Sequence, residues 1–128
     1  MITLEEFNSK YSYQSDIEKY GFSDVWEIIE PDSEGKYRGD CESYARTLKN
    51  LTPEFKDWEY YYCKLYEEGH CLLYKDGNVI DCNVKRVVRF DEYCRMYKVT
   101  EFKPYSTFQV ACKILFAKGY LWTRFLRN

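Results

Sequence analysis

Two spacings of apolar residues divide the chain. Between Asp40 and Leu51, Cys41, Tyr44, Ala45 and Leu48 recur three or four positions apart, which predicts one inward helix face ended by Thr52-Pro53. From Trp58 the period shortens to that of strands. Trp58 to Tyr66, His70 to Tyr74 and Asn78 to Val88 read as three strands, the first joined to the second through Glu67-Glu68-Gly69. Asp76-Gly77 joins the second to the third and is a strong two-residue hairpin signal, because both turn positions need positive φ. Upstream, Thr3-Leu4-Glu5-Glu6 and Ser15-Asp16-Ile17-Glu18 are capping-box patterns that start short helices, with Gly21 as a stop for the second. Ser23 to Glu30 predicts a further helical turn or two ended by Pro31, and residues 31–39 a polar loop. Downstream, Phe90 to Tyr97 reads as helix and Val99 to Phe102 as strand. Ser106 or Thr107 caps a helix running to Lys118 and closed by Gly119. The aromatic, basic tail Tyr120–Asn128 receives no assignment. Helices, then an antiparallel meander, then a mixture predict an α+β fold.

Composition narrows the class. One domain fits 128 residues, of which 45% are hydrophobic and 20% aromatic, enough for a core, with a mean hydropathy of −0.63. No apolar run approaches the ~20 residues of a spanning helix, and the opening Met1-Ile2-Thr3-Leu4-Glu5-Glu6 lacks the basic and apolar regions of a secretory signal. The expectation is a cytoplasmic protein that does not engage membranes. The net charge of −2 conceals a split: residues 1–83 carry 9 basic and 18 acidic side chains, residues 84–128 carry 10 and 3. Either the halves attract each other, or the basic third meets an acidic protein partner. Lys85, Arg86, Arg89, Arg124 and Arg127 offer contacts for nucleic acid. That partner is not expected, because no recognition motif accompanies them and the pI is about 5.5.

Six cysteines, at 41, 63, 71, 82, 94 and 112, include no Cys-x-x-Cys pair, and there is one histidine. The spacings offer no structural zinc site and read as buried thiols in a reducing compartment. Cys71 falls opposite Cys82 if the hairpin register runs on, where two buried thiols are expected rather than a bridge. Tyr60-Tyr61-Tyr62 reads as a strand with aromatics covering both faces.

Cys41 differs in its position. It opens a helix, where the dipole and free backbone amides favour a thiolate, and a cationic neighbour lowers a thiol from about 8.5 into the range of roughly 3.5–7.5. A nucleophilic cysteine needs a base, and His70 is the only histidine. With Asp76-Gly77 as the turn, Lys75 pairs with Asn78 and Leu73 with Ile80. Continuing that register places His70, Leu72 and Tyr74 on one face with Val79, Asp81 and Asn83. Asp81 is then a diagonal neighbour of His70 and its orienting acid, and Asn83, directly opposite, is the rival for that role.

Gly39-Asp40-Cys41-Glu42-Ser43-Tyr44-Ala45, then Gly69-His70-Cys71-Leu72-Leu73 and Gly77-Asn78-Val79-Ile80-Asp81, resembles the bacterial transglutaminase-like cysteine proteinases of the papain-related superfamily. The resemblance spans about residues 24–83. It implies a nucleophile at a helix N-terminus packed on an antiparallel sheet that carries His and Asp, with Cys41 as nucleophile, His70 as base and Asp81 as orienting acid. The whole chain reads as a single domain of this type, with a helical part over 1–39, the catalytic helix and sheet over 40–88, and a basic C-terminal part of helices and strand over 89–128; residues 84–128 carry no match to the family pattern. Trp26 and Gln14 stand upstream as candidates to assist an oxyanion. Some members bind calcium through acids beside the nucleophile. Asp40 and Glu42 match those acids, but the next Asp of the family pattern is Ser43 here, so no cofactor is expected. The implied activity is hydrolysis of an amide in a protein or peptide through a thioester. The alternatives are acyl transfer by the same triad, or a catalytically silent module that binds a protein or nucleic acid.

Overall fold

The computed structural model describes residues 1–21 and 25–127, the last eight in backbone only. It is a mixed α and β fold with five α-helices, a five-stranded antiparallel sheet and a small parallel strand pair. The capping signals are realised. Helix α1 (Leu4–Lys10) starts where the Thr3 hydroxyl accepts from Glu6 N, and α2 (Asp16–Tyr20) where Ser15 accepts from Glu18 N. Gly21 closes α2 at φ 86°. Between and after these helices, β1 (Tyr11–Tyr13) pairs in parallel with β2 (Tyr37–Gly39), so the polar loop expected over 31–39 ends as a strand.

Helix α3 (Cys41–Leu51) is buried on two sides. Tyr44, Ala45 and Leu48 face the main core, as their spacing predicts. Ser43, Arg46 and Thr47 are also buried, against residues 25–29, which form no helix. The reason lies in hydrogen bonding. Ser43 Oγ donates to Val25 O, Arg46 to Trp26 O, and Ile29 N donates to Thr47 Oγ1. These side chains satisfy a buried backbone that a helix would have satisfied internally. Residues 23 and 24 of the expected helical stretch lie outside the described residues.

The main sheet has the order β6-β5-β4-β3-β7. Strands β3 (Glu59–Leu65), β4 (Glu68–Lys75) and β5 (Asn78–Ile80) form the expected meander, and Asp76 and Gly77 take φ 49° and 84°. Lys75 pairs with Asn78, Tyr74 with Val79 and Leu73 with Ile80, as read from the sequence. There the ladder stops. The expected strand Asn78–Val88 breaks at Asp81, whose carboxylate accepts from the amides of Asn83 and Val84 while its carbonyl accepts from Lys85 N. The chain turns and returns as β6 (Val88–Arg89), so His70 and Cys71 have no ladder partners at Asn83 and Cys82. Strand β7 (Val99–Pro104) adds to the far side of β3, longer than predicted.

The sheet separates two apolar clusters. Tyr60, Cys71, Leu73, Ile80 and Cys82 join α3 on one face. Cys63, Leu72 and Val79 join Tyr93 of α4 (Phe90–Met96) on the other. The tyrosine run of β3 is aromatic packing on both faces: Trp26 meets Tyr60 edge-on at 5.2 Å, and Tyr61 stacks on Phe102 at 4.7 Å. Helix α5 (Thr107–Arg127) passes through Gly119, where a stop was expected. A glycine lowers helix propensity by about 1 kcal/mol and ends a helix only when the chain turns left-handed there. Ser106 and Gln109 exchange the two bonds of a capping box at its start. Among the described residues no helix is long and apolar enough to cross a membrane.

Gly39 shows how closely α3 is held at its start. A Cβ there would sit 2.7 Å from Ile29 Cδ1 and 3.1 Å from Ser43 Cβ. Gly39→Ala is expected to destabilise the protein by about 1–3 kcal/mol through overpacking, measured by urea unfolding.

Candidate functional site

Three chain segments meet around Cys41. The β1–β2 pair delivers the chain to α3: Tyr13 pairs with Gly39, Gln14 N donates to Gly39 O, and the Tyr11 hydroxyl donates to the same carbonyl at 2.7 Å. Asp40 is the N-cap, its carboxylate accepting from Ser43 N, and Cys41 is the first helical residue. The β3–β4 turn, with Tyr66 and Glu67 at positive φ, brings up Gly69 and His70 from the other side. A cavity of about 410 Å³ lies between, lined by Cys41, His70, Asn83, Glu68, Tyr13, Tyr66 and Tyr97 among others.

His70 Nε2 lies 2.7 Å from Asp81 Oδ2, so of the two candidates Asp81 holds the ring. Asn83 lines the cavity, but its link to this pair is its backbone amide on Asp81 Oδ1. Asp81 is fully buried. Burial alone would raise its carboxyl. The hydrogen bond and charge of His70, together with the Tyr93 hydroxyl and the Val84 amide, outweigh this and hold it below the usual carboxylate range.

Tyr93 was not singled out from the sequence. It is fully buried on α4 and donates to Asp81 Oδ2 at 2.5 Å, the same oxygen that meets His70. Its only signal was a tyrosine on a short amphipathic helix, indistinguishable from the other thirteen tyrosines.

The thiol departs from the expectation drawn from its helix position. Cys41 is half-buried, and its hydrogen bond goes to Glu42 Oε2 at 3.4 Å rather than to the imidazole. Burial pushes its pKa well above the ordinary thiol value, and the negative charges of Glu42 and Asp40 add to the shift. A lowered thiol needs a cationic partner in contact, and the thiol bonds Glu42 while the His70 ring bonds Asp81. Cys41 therefore rests as a neutral thiol.

The upstream candidates fare differently. Trp26 is fully buried between Tyr60 and Tyr105 and does not line the cavity, so its place is in the core. Gln14 stays beside the nucleophile turn through its amide on Gly39. Cys63, Cys71 and Cys82 are buried free thiols, while Cys94 and Cys112 are exposed and lie outside the buried set the sequence suggested.

Asp40 and Glu42 cluster with Asp16, which the sequence reading left out, each offering an oxygen within 4.8 Å of the others. Asp16 Oδ2 already accepts from Val25 N, Asp40 Oδ1 from Ser43 N and Glu42 Oε2 from the thiol. The Ser43 hydroxyl, at the position of the family's next acid, turns away to Val25 O. Burial and the neighbouring acids raise Asp16 and Asp40 each to about 8.

No protein-family model matches this sequence, and no curated protein matches it.

Two predictions follow from these carboxylates. Asp16 and Asp40 take up protons on folding between their unfolded value, about 4, and about 8. Their stabilisation is complete below the lower value and is lost as pH rises through the upper one. The melting temperature should fall from pH 6 to 9 in the native protein. In Asp16→Asn, which keeps the acceptor for Val25 N, the fall should flatten. Tyr93→Phe removes a donor from a buried carboxylate and should cost about 2 kcal/mol at neutral pH by urea unfolding.

Proposed function

We propose that the chain is a cysteine-dependent hydrolase of amide bonds, built on a core like that of the transglutaminase-like cysteine proteinases. The observation that carries this reading is the His70–Asp81 pair, 2.7 Å apart, whose imidazole lines the same cavity as a cysteine in the first turn of a helix.

The chemistry follows from which atoms are free. Asp81 occupies Nε2 of the ring, which leaves Nδ1 to receive a proton. The Cys41 side chain turns from Glu42 toward the substrate. As its sulfur bonds to the carbonyl carbon, the thiol proton passes to His70 and the carbonyl oxygen becomes an oxyanion. The Ser43 amide is taken by the Asp40 carboxylate and the Tyr44 amide by its carbonyl, so the amides of Cys41 and Glu42 head the helix and are the donors for that oxyanion. Gln14 stands next to this turn as a further donor. The C–N bond then breaks, the leaving amine takes the proton from His70, and a thioester remains. Water attacks the thioester, passing a proton to His70, and the acid departs as the thiol is reprotonated. With an amine in place of water, the same steps transfer the acyl group.

A second reading, a silent binding module on the same scaffold, draws on the thiol's bond to Glu42 rather than to the imidazole. Alkylation separates the two. Cys94 and Cys112 are exposed and would react first, so the measurement uses a Cys94→Ser/Cys112→Ser protein. Iodoacetamide at neutral pH is expected to modify Cys41 ahead of Cys63, Cys71 and Cys82, followed by peptide mass mapping. His70→Ala should slow the Cys41 adduct about tenfold or more. An adduct rate indifferent to His70 would sink the hydrolase and leave the binding module.

A further inference from the structure

Glu68 lines the cavity beside Cys41 and Glu42 lies against the thiol, and among the described residues no lysine or arginine is part of the lining. Arg86, paired with Glu92, acts on the lining residue Tyr97. Tyr13, Tyr66 and Tyr97 also line the cavity, and two of these residues are largely open: Tyr13 and Tyr66 are each 61% exposed. Tyr66 is also held at φ 51°, a conformation that side-chain-bearing residues seldom adopt. Exposed rings beside a carboxylate form a receptor for a cation. A ring face attracts an ammonium or guanidinium within about 6 Å, and the carboxylate pairs with it.

We propose that this site selects acyl donors bearing a positive charge, of the lysine or arginine side-chain type, next to the reacting carbonyl. The inference rests on the hydrolase reading above and names its substrate class. Glu68 and the tyrosine rings hold the cation while the carbonyl lies between Cys41 and His70. A cavity of about 410 Å³ has room for one long side chain and the reacting group. The bound cation also acts on the chemistry. Glu42 and Asp40 oppose ionisation of Cys41 at rest, and a positive charge brought into the cavity offsets their field as the thiol gives up its proton. Selection and activation then come from the same charge, and a neutral substrate of equal shape forfeits both.

Protection of Cys41 tests this without requiring turnover. In the Cys94→Ser/Cys112→Ser protein, Nα-benzoyl-arginine amide and Nα-benzoyl-citrulline amide compete with iodoacetamide for Cys41; the two ligands match in size and differ in charge. The arginine amide is expected to give half-protection at about tenfold lower concentration than the citrulline amide. Glu68→Gln should bring the two within about twofold, and Glu68→Lys should favour Nα-benzoyl-glutamate amide instead. Glu67→Gln, which alters the neighbouring acid outside the cavity lining, should leave the ratio as it was. Equal protection by the two ligands, protection by neither, or a ratio unmoved in both Glu68 variants overturns the proposal. The His70 dependence of labelling is scored separately, so a site that labels through His70 but ignores charge discards the cation pocket and keeps the hydrolase.

Discussion

A carboxylate removed entirely from water must be fully hydrogen-bonded, because an unpaired buried charge costs several kcal/mol. Asp81 meets that requirement with four donors from three directions: His70 on β4, Tyr93 on α4, and the amides of Asn83 and Val84 in its own turn. Each bond fixes a piece of architecture. The amides end β5 and turn the chain. Tyr93 ties α4, and with it the C-terminal third, to the sheet. His70 is oriented at the cavity wall. The site and the fold beyond residue 83 therefore depend on the same negative charge.

The same interaction explains what was legible in the sequence. The hairpin register followed from Asp76-Gly77 and alternation alone, and it put His70 and Asp81 on one face, where the structure has them. Beyond Ile80 the register failed, because alternation has no means of knowing that a strand residue will use its carboxylate as a turn cap. Residues 25–29 escaped for a related reason. Their non-helical form is held by hydrogen bonds to Ser43, Arg46 and Thr47, some twenty residues downstream, and no local pattern carries that information. Strands β1 and β2, three residues each, are too short for periodicity to register. Tyr93 was hidden by abundance: its chemistry comes from where α4 docks.

The charge split in the sequence has a local resolution. Arg86 pairs with Glu92, and Arg89 and Arg95 with Asp91, so these cations find partners within their own third of the chain. All three pairs are exposed, and exposed pairs contribute at most about 1 kcal/mol each. They do not hold the halves together. Contacts between the halves are made by the aromatic packing of β3 against β7, by the Asn8 side chain on the Lys85 carbonyl, and by Tyr93 on Asp81.

The acidic half concentrates its charge where the cysteine is. Asp16, Asp40 and Glu42 crowd the start of α3, where the helix dipole favours negative charge, although burial and their own proximity raise Asp16 and Asp40 to about 8. The thiolate competes for that same positive end. With Asp40 capping Ser43 and Glu42 accepting from the sulfur, the capacity of the helix terminus is already drawn on by carboxyl groups, and the thiol stays protonated. A helix N-terminus activates a cysteine only to the extent that neighbouring acids leave its field unspent. In the proposed reaction the missing positive charge arrives with the substrate, or on His70 as it takes the thiol's proton.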